Sequence, residues 1–173
     1  MKLTNSRLHE ADGVVDHLCL QIDVLQAAGD PMRDRYVGFC ALTIATHAES
    51  TIKDLILDFC KVENRYLHAV FDKELEKFNA RIAHDALSTL LLRFDESHSK
   101  RFKKICSRVR TAYLVSSTLG YDPLASYKSM LGVRHSFVHN INANFTNITV
   151  TDLRKYSQSA KLVVAAFGRS IGS

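Results

Sequence analysis

Apolar positions along the chain recur at helical spacing almost throughout. Val15, Leu18, Ile22 and Leu25 lie three or four residues apart, which predicts a first helix over about residues 6–28, stopped by Gly29. Pro31 then opens a second helix. Its stripe of Val37, Ala41, Ile44, Ala48, Ile52, Leu55 and Phe59 keeps helical spacing for about six turns and marks it as the central core helix. Residues 61–80 read less sharply, with a short helix over about 72–78, and a further helix carries Ile82, Ala86, Leu90 and Phe94. Next comes an amphipathic helix over about 97–111. Phe102, Ile105, Cys106 and Val109 line one side of it, and Lys100, Arg101, Lys103, Lys104, Arg108 and Arg110 the other.

Toward the C-terminus the local signals are chemical as well as periodic. Asp122-Pro123 reads as the start of a helix ending near His139, and a polar loop covers about residues 140–147. Thr149-x-x-Asp152 resembles a capping box for a last helix whose buried stripe is Leu153, Tyr156, Ala160, Val163 and Phe167. Only 7 glycines and 2 prolines occur in 173 residues, too few turn signals for a sandwich of many short strands. The expected class is all-α, a compact bundle of about five to seven helices. At this length and 46% hydrophobic content the chain buries one core, so one domain over 1–173 is expected.

Charge adds one asymmetry to this picture. The net charge is only +5, but residues 1–30 carry five carboxylates while residues 100–110 carry six cations, a distribution that favours an anionic partner. Cys19, Cys40, Cys60 and Cys106 are far apart in apolar helical pattern and form no C-x-x-C pair, so they read as buried reduced thiols. The first residues are polar rather than an apolar leader, and no apolar run approaches the roughly 20 residues that span a bilayer. A cytoplasmic protein without membrane attachment is expected. Asn144-Phe145-Thr146 and Asn147-Ile148-Thr149 match a glycosylation pattern that such a protein would never use.

The candidate chemistry lies in Arg134-His135-Ser136-Phe137-Val138-His139-Asn140. His135 and His139 are one helical turn apart on one face, while Arg134 continues the row of Leu131 and Val138 on the adjoining face. A permanent guanidinium at the edge of an apolar row is costly unless a partner or an anionic ligand meets it. The five-residue spacing alone is weak, since this composition produces roughly 0.6 such Arg-to-His pairs by chance. Arg93 and His98 share it. There Phe94 follows the arginine, and Asp95-Glu96-Ser97 reads as an interhelical turn with Ser97 as N-cap.

A penultimate helix ending in Arg, a polar residue, three further positions and His, within a small all-α domain, resembles the HEPN superfamily of nucleotide-binding and ribonuclease domains, closest to its RiboL-PSP-type group. Glu49-Ser50-Thr51-Ile52-Lys53 is similar to the acidic segment that many members carry in the second helix. The resemblance implies a metal-independent endoribonuclease, without cofactor, whose site forms across a homodimer interface. In that scheme His139 moves the proton of the attacking 2′-hydroxyl, Arg134 holds the phosphate as charge builds, and His135 assists. Asn140 hydrogen-bonds phosphate or supports His139, and Glu49 pairs with Arg134 or else with Lys53 one turn on. RNA is the implied partner, with a toxin or defence role and a cognate antitoxin or operon partner.

Blander readings stand beside these. Arg134 and His139 also fit a helix-end ion pair and C-terminal dipole partner. His135 and His139 fit two metal ligands, but no nearby residue supplies a third or fourth. His9, His17, His47, His68 and His84 are scattered. The basic face, proposed as an RNA track through Lys100, Arg101, Lys103, Lys104 and Arg108, is equally a solvated surface. A non-catalytic module that binds RNA, nucleotide or a protein partner is the alternative from another class. A plain helical scaffold is the third.

Overall fold

The computed structural model describes residues 2–63, 65–76, 82–116 and 119–172, with side chains from residue 12 onward except at 65, 67 and 76. Seven helices and no strand occur among the described residues: α1 (Lys2–Ala27), α2 (Met32–Glu63), α3 (Arg65–Glu76), α4 (His84–Leu92), α5 (Glu96–Val115), α6 (Pro123–His139) and α7 (Val150–Ile171). The all-α bundle expected from the periodicity is what forms. Residue Phe78, in the expected short helix, lies outside the described residues. That helix begins earlier than the apolar pattern indicated; among its described side chains Phe71 and Leu75 are buried while Tyr66 and Val70 face outward.

Helix α2 is the axis of the bundle. It packs against α1, α3, α6 and α7 through Val37, Cys40, Ala41, Ile44, Ala48, Ile52, Ile56 and Cys60. Alanine and cysteine along this stripe let neighbouring helices approach closely on several sides. Helix α1 ends where Gly29 takes a left-handed φ of 64°, a conformation that costs glycine nothing. Asp30 Oδ1 then accepts from the Met32 N–H at 2.8 Å and starts α2. Asp95, not Ser97, is the N-cap of α5, accepting from the Ser97 N–H at 2.6 Å. The Asp122 cap of α6 and the Thr149/Asp152 capping box of α7 form as expected.

Direction within the bundle follows from side-chain contacts. Gly38 of α2 lies against Phe137 of α6, whereas Glu49, three turns later, affects Tyr127 near the other end of α6, so α2 and α6 run antiparallel. Helix α5 also runs against α7: His98 Nδ1 is 2.7 Å from the Ser170 carbonyl at the end of α7, and Tyr113 accepts from Gln158 at 3.1 Å near its beginning. One end of the bundle therefore gathers the α1–α2 turn, the end of α6 and the start of α7. All four cysteines are buried without disulfides, and burial pushes the Cys60 and Cys106 thiols up to about 11. No described helix is long and apolar enough to cross a membrane.

Candidate active site at the end of helix six

Bonds from the first turn of α2 hold the chain in place beyond His139. Arg33 is buried at the start of α2 and donates to the Phe145 carbonyl at 2.7 Å and to the Ile148 carbonyl. It also pairs with Asp34 at 2.7 Å, whose second carboxylate oxygen accepts from the Phe145 N–H at 2.9 Å. Phe145 itself is buried in the core. A loop of polar composition is thus clamped to α2 by one ion pair, and its backbone groups are satisfied rather than stranded.

The periodicity of α6 sorts its side chains. Tyr127, Met130 and Val133 are buried, and Phe137 packs against the same core. A Cβ at Gly38 would come within 2.9 Å of the Phe137 Cβ and overlap its ring, so the missing side chain at that position lets the end of α6 sit directly on the α2 backbone. The Tyr127 hydroxyl donates to the buried Ile82 carbonyl at 2.7 Å, and burial pushes the phenol far above its usual range. Leu124, Tyr127 and Leu131 consequently pack into the chain's own core, whereas Val138 is exposed at 54%.

His135 and His139 project from the opposite side, both exposed, with ring centroids 4.4 Å apart. Arg134 is half-buried at the margin of the packed face, and no hydrogen bond or ion pair joins it to another described residue. Five positions on a helix amount to about 500°, so Arg134 and His139 of one chain point roughly 140° apart. Asn140 ends the helix: its N–H donates to the Ser136 carbonyl and its Oδ1 accepts from the Asn142 N–H at 3.0 Å. No group of three His, Cys, Asp or Glu that could hold a metal occurs among the described residues.

The second Arg-to-His pair has a different fate. Arg93 pairs with Glu74 at 2.8 Å and lies over the Phe71 ring at 5.3 Å. His98 contacts the Ser170 carbonyl and packs edge-on to Phe59. Arg93 is thus held in an exposed ion pair and His98 is half-buried against neighbouring helices. Glu49 forms the local ion pair, with Lys53 at 3.1 Å.

The basic residues of α5 are only partly as the pattern suggested. Lys103, Lys104 and Arg108 are exposed, but Lys100 pairs with Glu96 at 3.0 Å and Arg110 with Asp122 at 2.7 Å. Arg101 turns to the Ser170 carbonyl at 3.5 Å. Because α5 and α7 are antiparallel, Lys100 through Lys104 lie toward the far end of α7 from the motif, roughly 20–30 Å along the bundle at 1.5 Å per residue. Of the scattered histidines, His84 stacks on Phe102 at 5.2 Å with Nδ1 3.1 Å from Asp85; His9 lies outside the described side chains.

Local pattern missed Arg33, Asp34 and Arg35. Their signal was two cations in the first turn of a helix, where the dipole disfavours positive charge. Arg33 sits there because it caps a distant loop; Arg35 is exposed and donates to Asn142 Oδ1 at 2.9 Å. Among known proteins, the family described as RiboL-PSP-HEPN matches residues 19–173. No curated protein and no solved structure matches.

Proposed function

From the premise that the chain belongs to the RiboL-PSP-HEPN family, we propose that it is a metal-independent endoribonuclease acting as a homodimer, with residues 1–173 forming one domain. The observation that carries this reading is the contrast between the two Arg-to-His pairs. Arg93 and His98 are engaged by the fold, whereas His135 and His139 are exposed and Arg134 has no described partner. A scaffold would satisfy both pairs internally.

In the proposed reaction an imidazole of His139 takes the proton of a ribose 2′-hydroxyl as that oxygen attacks the adjacent phosphorus. The bond from phosphorus to the 5′-oxygen breaks, and a second, protonated imidazole returns a proton to the leaving oxygen. The products are a 2′,3′-cyclic phosphate and a 5′-hydroxyl. Arg134 opposes the charge that accumulates on the phosphate oxygens, and His135 assists proton transfer. Divergence of Arg134 and His139 around one helix supports a composite site, in which two copies of the motif meet across a two-fold axis. Exposed Val138 and Ile141, with Phe39 and Met32 on α2, supply apolar area for such a contact. A role as toxin or defence effector, with a cognate antitoxin, rests on the family alone.

The test is incubation of purified protein with RNA in EDTA beside the Arg134→Ala/His139→Ala double variant. Cleavage by the wild type alone supports the enzyme. RNA binding without cleavage favours the non-catalytic module, to which Arg134, without a partner among the described residues, also lends itself.

A further inference from the structure

Immediately beyond the motif, the α1–α2 turn and the loop of residues 141–146 line an open cavity of about 580 Å³, within the size range of sites that hold small organic ligands. Its charges balance: Arg33 and Arg35 face Asp30 and Asp34. Arg33 and Asp34 are consumed by each other and by the loop backbone, and Asp30 starts α2. A cavity without net charge, walled partly by Leu25 and Ile141, suits a neutral, flat, polar ligand better than a phosphate.

Two amides give the cavity a definite polarity. Asn142 Oδ1 accepts from Arg35 at 2.9 Å, and Asn144 Oδ1 accepts from the Thr146 N–H at 2.9 Å and from its hydroxyl at 2.8 Å. A guanidinium and a backbone N–H are donors only, so both amide oxygens must face them and both NH2 groups remain to donate. With Arg35 the cavity mouth offers donors and a planar cation on which a base can stack.

We infer that this cavity is a nucleobase subsite that receives an unpaired base of the RNA next to the bond cleaved at the motif, and that it selects keto bases, uracil or guanine, over adenine. Uracil O4 and guanine O6 and N7 accept from the two amides, whereas the adenine N6 amino group brings donor against donor. Only one residue, Asn140, separates His139 from the loop that forms the wall, so a strand with its phosphate at the motif has a neighbouring base within reach. The inference rests on the ribonuclease reading for its ligand.

The experiment uses the His139→Ala protein, which keeps the RNA intact, and measures affinity for fluorescent octauridylate and octaadenylate by anisotropy. Octauridylate binds about tenfold tighter, the size of one good base contact. Asn142→Asp and Asn144→Asp preserve each accepting oxygen and turn the donors into acceptors, so affinity falls for both RNAs and the preference for uridine shrinks or inverts. Equal affinity for the two octamers, or a uridine preference untouched by both substitutions, overturns the subsite. Cleavage by the wild type with flat base preference removes this inference alone; uridine preference without any cleavage removes only the ribonuclease reading.

Discussion

Gly38 and Phe137 are locked together: the phenyl ring of Phe137 occupies the space that any side chain on residue 38 would need. This packing joins α2 to the turn of α6 that carries His135 and His139, so the fit at Gly38 sets the position of the candidate site. Gly38→Ala should lower stability by about 1–3 kcal/mol, the usual cost of overfilling a packed interface, although alanine is the better helix former. Denaturant titration of Gly38→Ala, Phe137→Ala and the double variant checks it. The double variant should be less destabilised than the two single effects combined, because removing the ring vacates the space that the new methyl requires. Strict additivity would mean that the two residues do not meet.

His139→Ala should lower RNA cleavage by about 10² to 10⁴-fold, the range for removal of a general acid or base, with the fold unchanged by circular dichroism. The side chain is exposed, so it contributes little packing. Arg134→Lys should not restore the activity that Arg134→Ala abolishes. Lysine keeps the charge but has no planar fork to grip two phosphate oxygens. Full cleavage by His139→Ala would assign the chemistry elsewhere.

What was legible in the chain depended on how local the cause was. The α2 stripe, the Asp122 cap and the Thr149/Asp152 box were readable because each is decided within a few residues by periodicity or a side-chain oxygen. The limits of α3 were not, since Tyr66 and Val70 are apolar yet exposed and blur the period. Arg134 and His139 stood out by spacing, but so did Arg93 and His98; the turn at Asp95-Glu96-Ser97 already set the second pair apart, and Glu74 and the Ser170 carbonyl, supplied by other helices, show what occupies it. Arg33 holds carbonyls more than a hundred positions away, a role no window of sequence reveals. The distance between the basic face and the motif likewise follows from helix direction, which periodicity does not encode.

Acid should weaken the start of α6 in a defined window. Partial burial of Asp122 opposes its charge, but the Ala125 and Leu124 N–H groups and the Arg110 guanidinium outweigh this and hold the carboxyl below the usual carboxylate range. A lowered folded value means that the stabilisation is complete above the unfolded aspartate value of roughly 4 and disappears as pH falls through the folded value. Asp122→Ala should therefore cost about 1 kcal/mol at neutral pH, and its deficit against wild type should close as thermal unfolding is followed from pH 7 toward pH 2. A deficit constant over that range would assign the destabilisation to something other than the ionised cap.

Lys103, Lys104 and Arg108 test whether the basic face of α5 is an RNA surface. All three are exposed, unlike Lys100, Arg101 and Arg110, which have partners. If phosphates lie against them, replacing the three with glutamate should weaken binding to RNAs of any sequence. It should also flatten the dependence of log affinity on log salt, by about 0.7 for each phosphate of a single strand that is no longer neutralised. The separation of this face from the motif sharpens the expectation. RNAs too short to reach from one end of the bundle to the other should be cleaved equally by wild type and variant, while longer RNAs should show a raised KM with kcat retained, since these cations hold the strand and move no proton. Unchanged affinity and salt slope on long RNA would return the face to ordinary solvated surface and leave the phosphate contact to cations nearer the motif, Arg134 first among them.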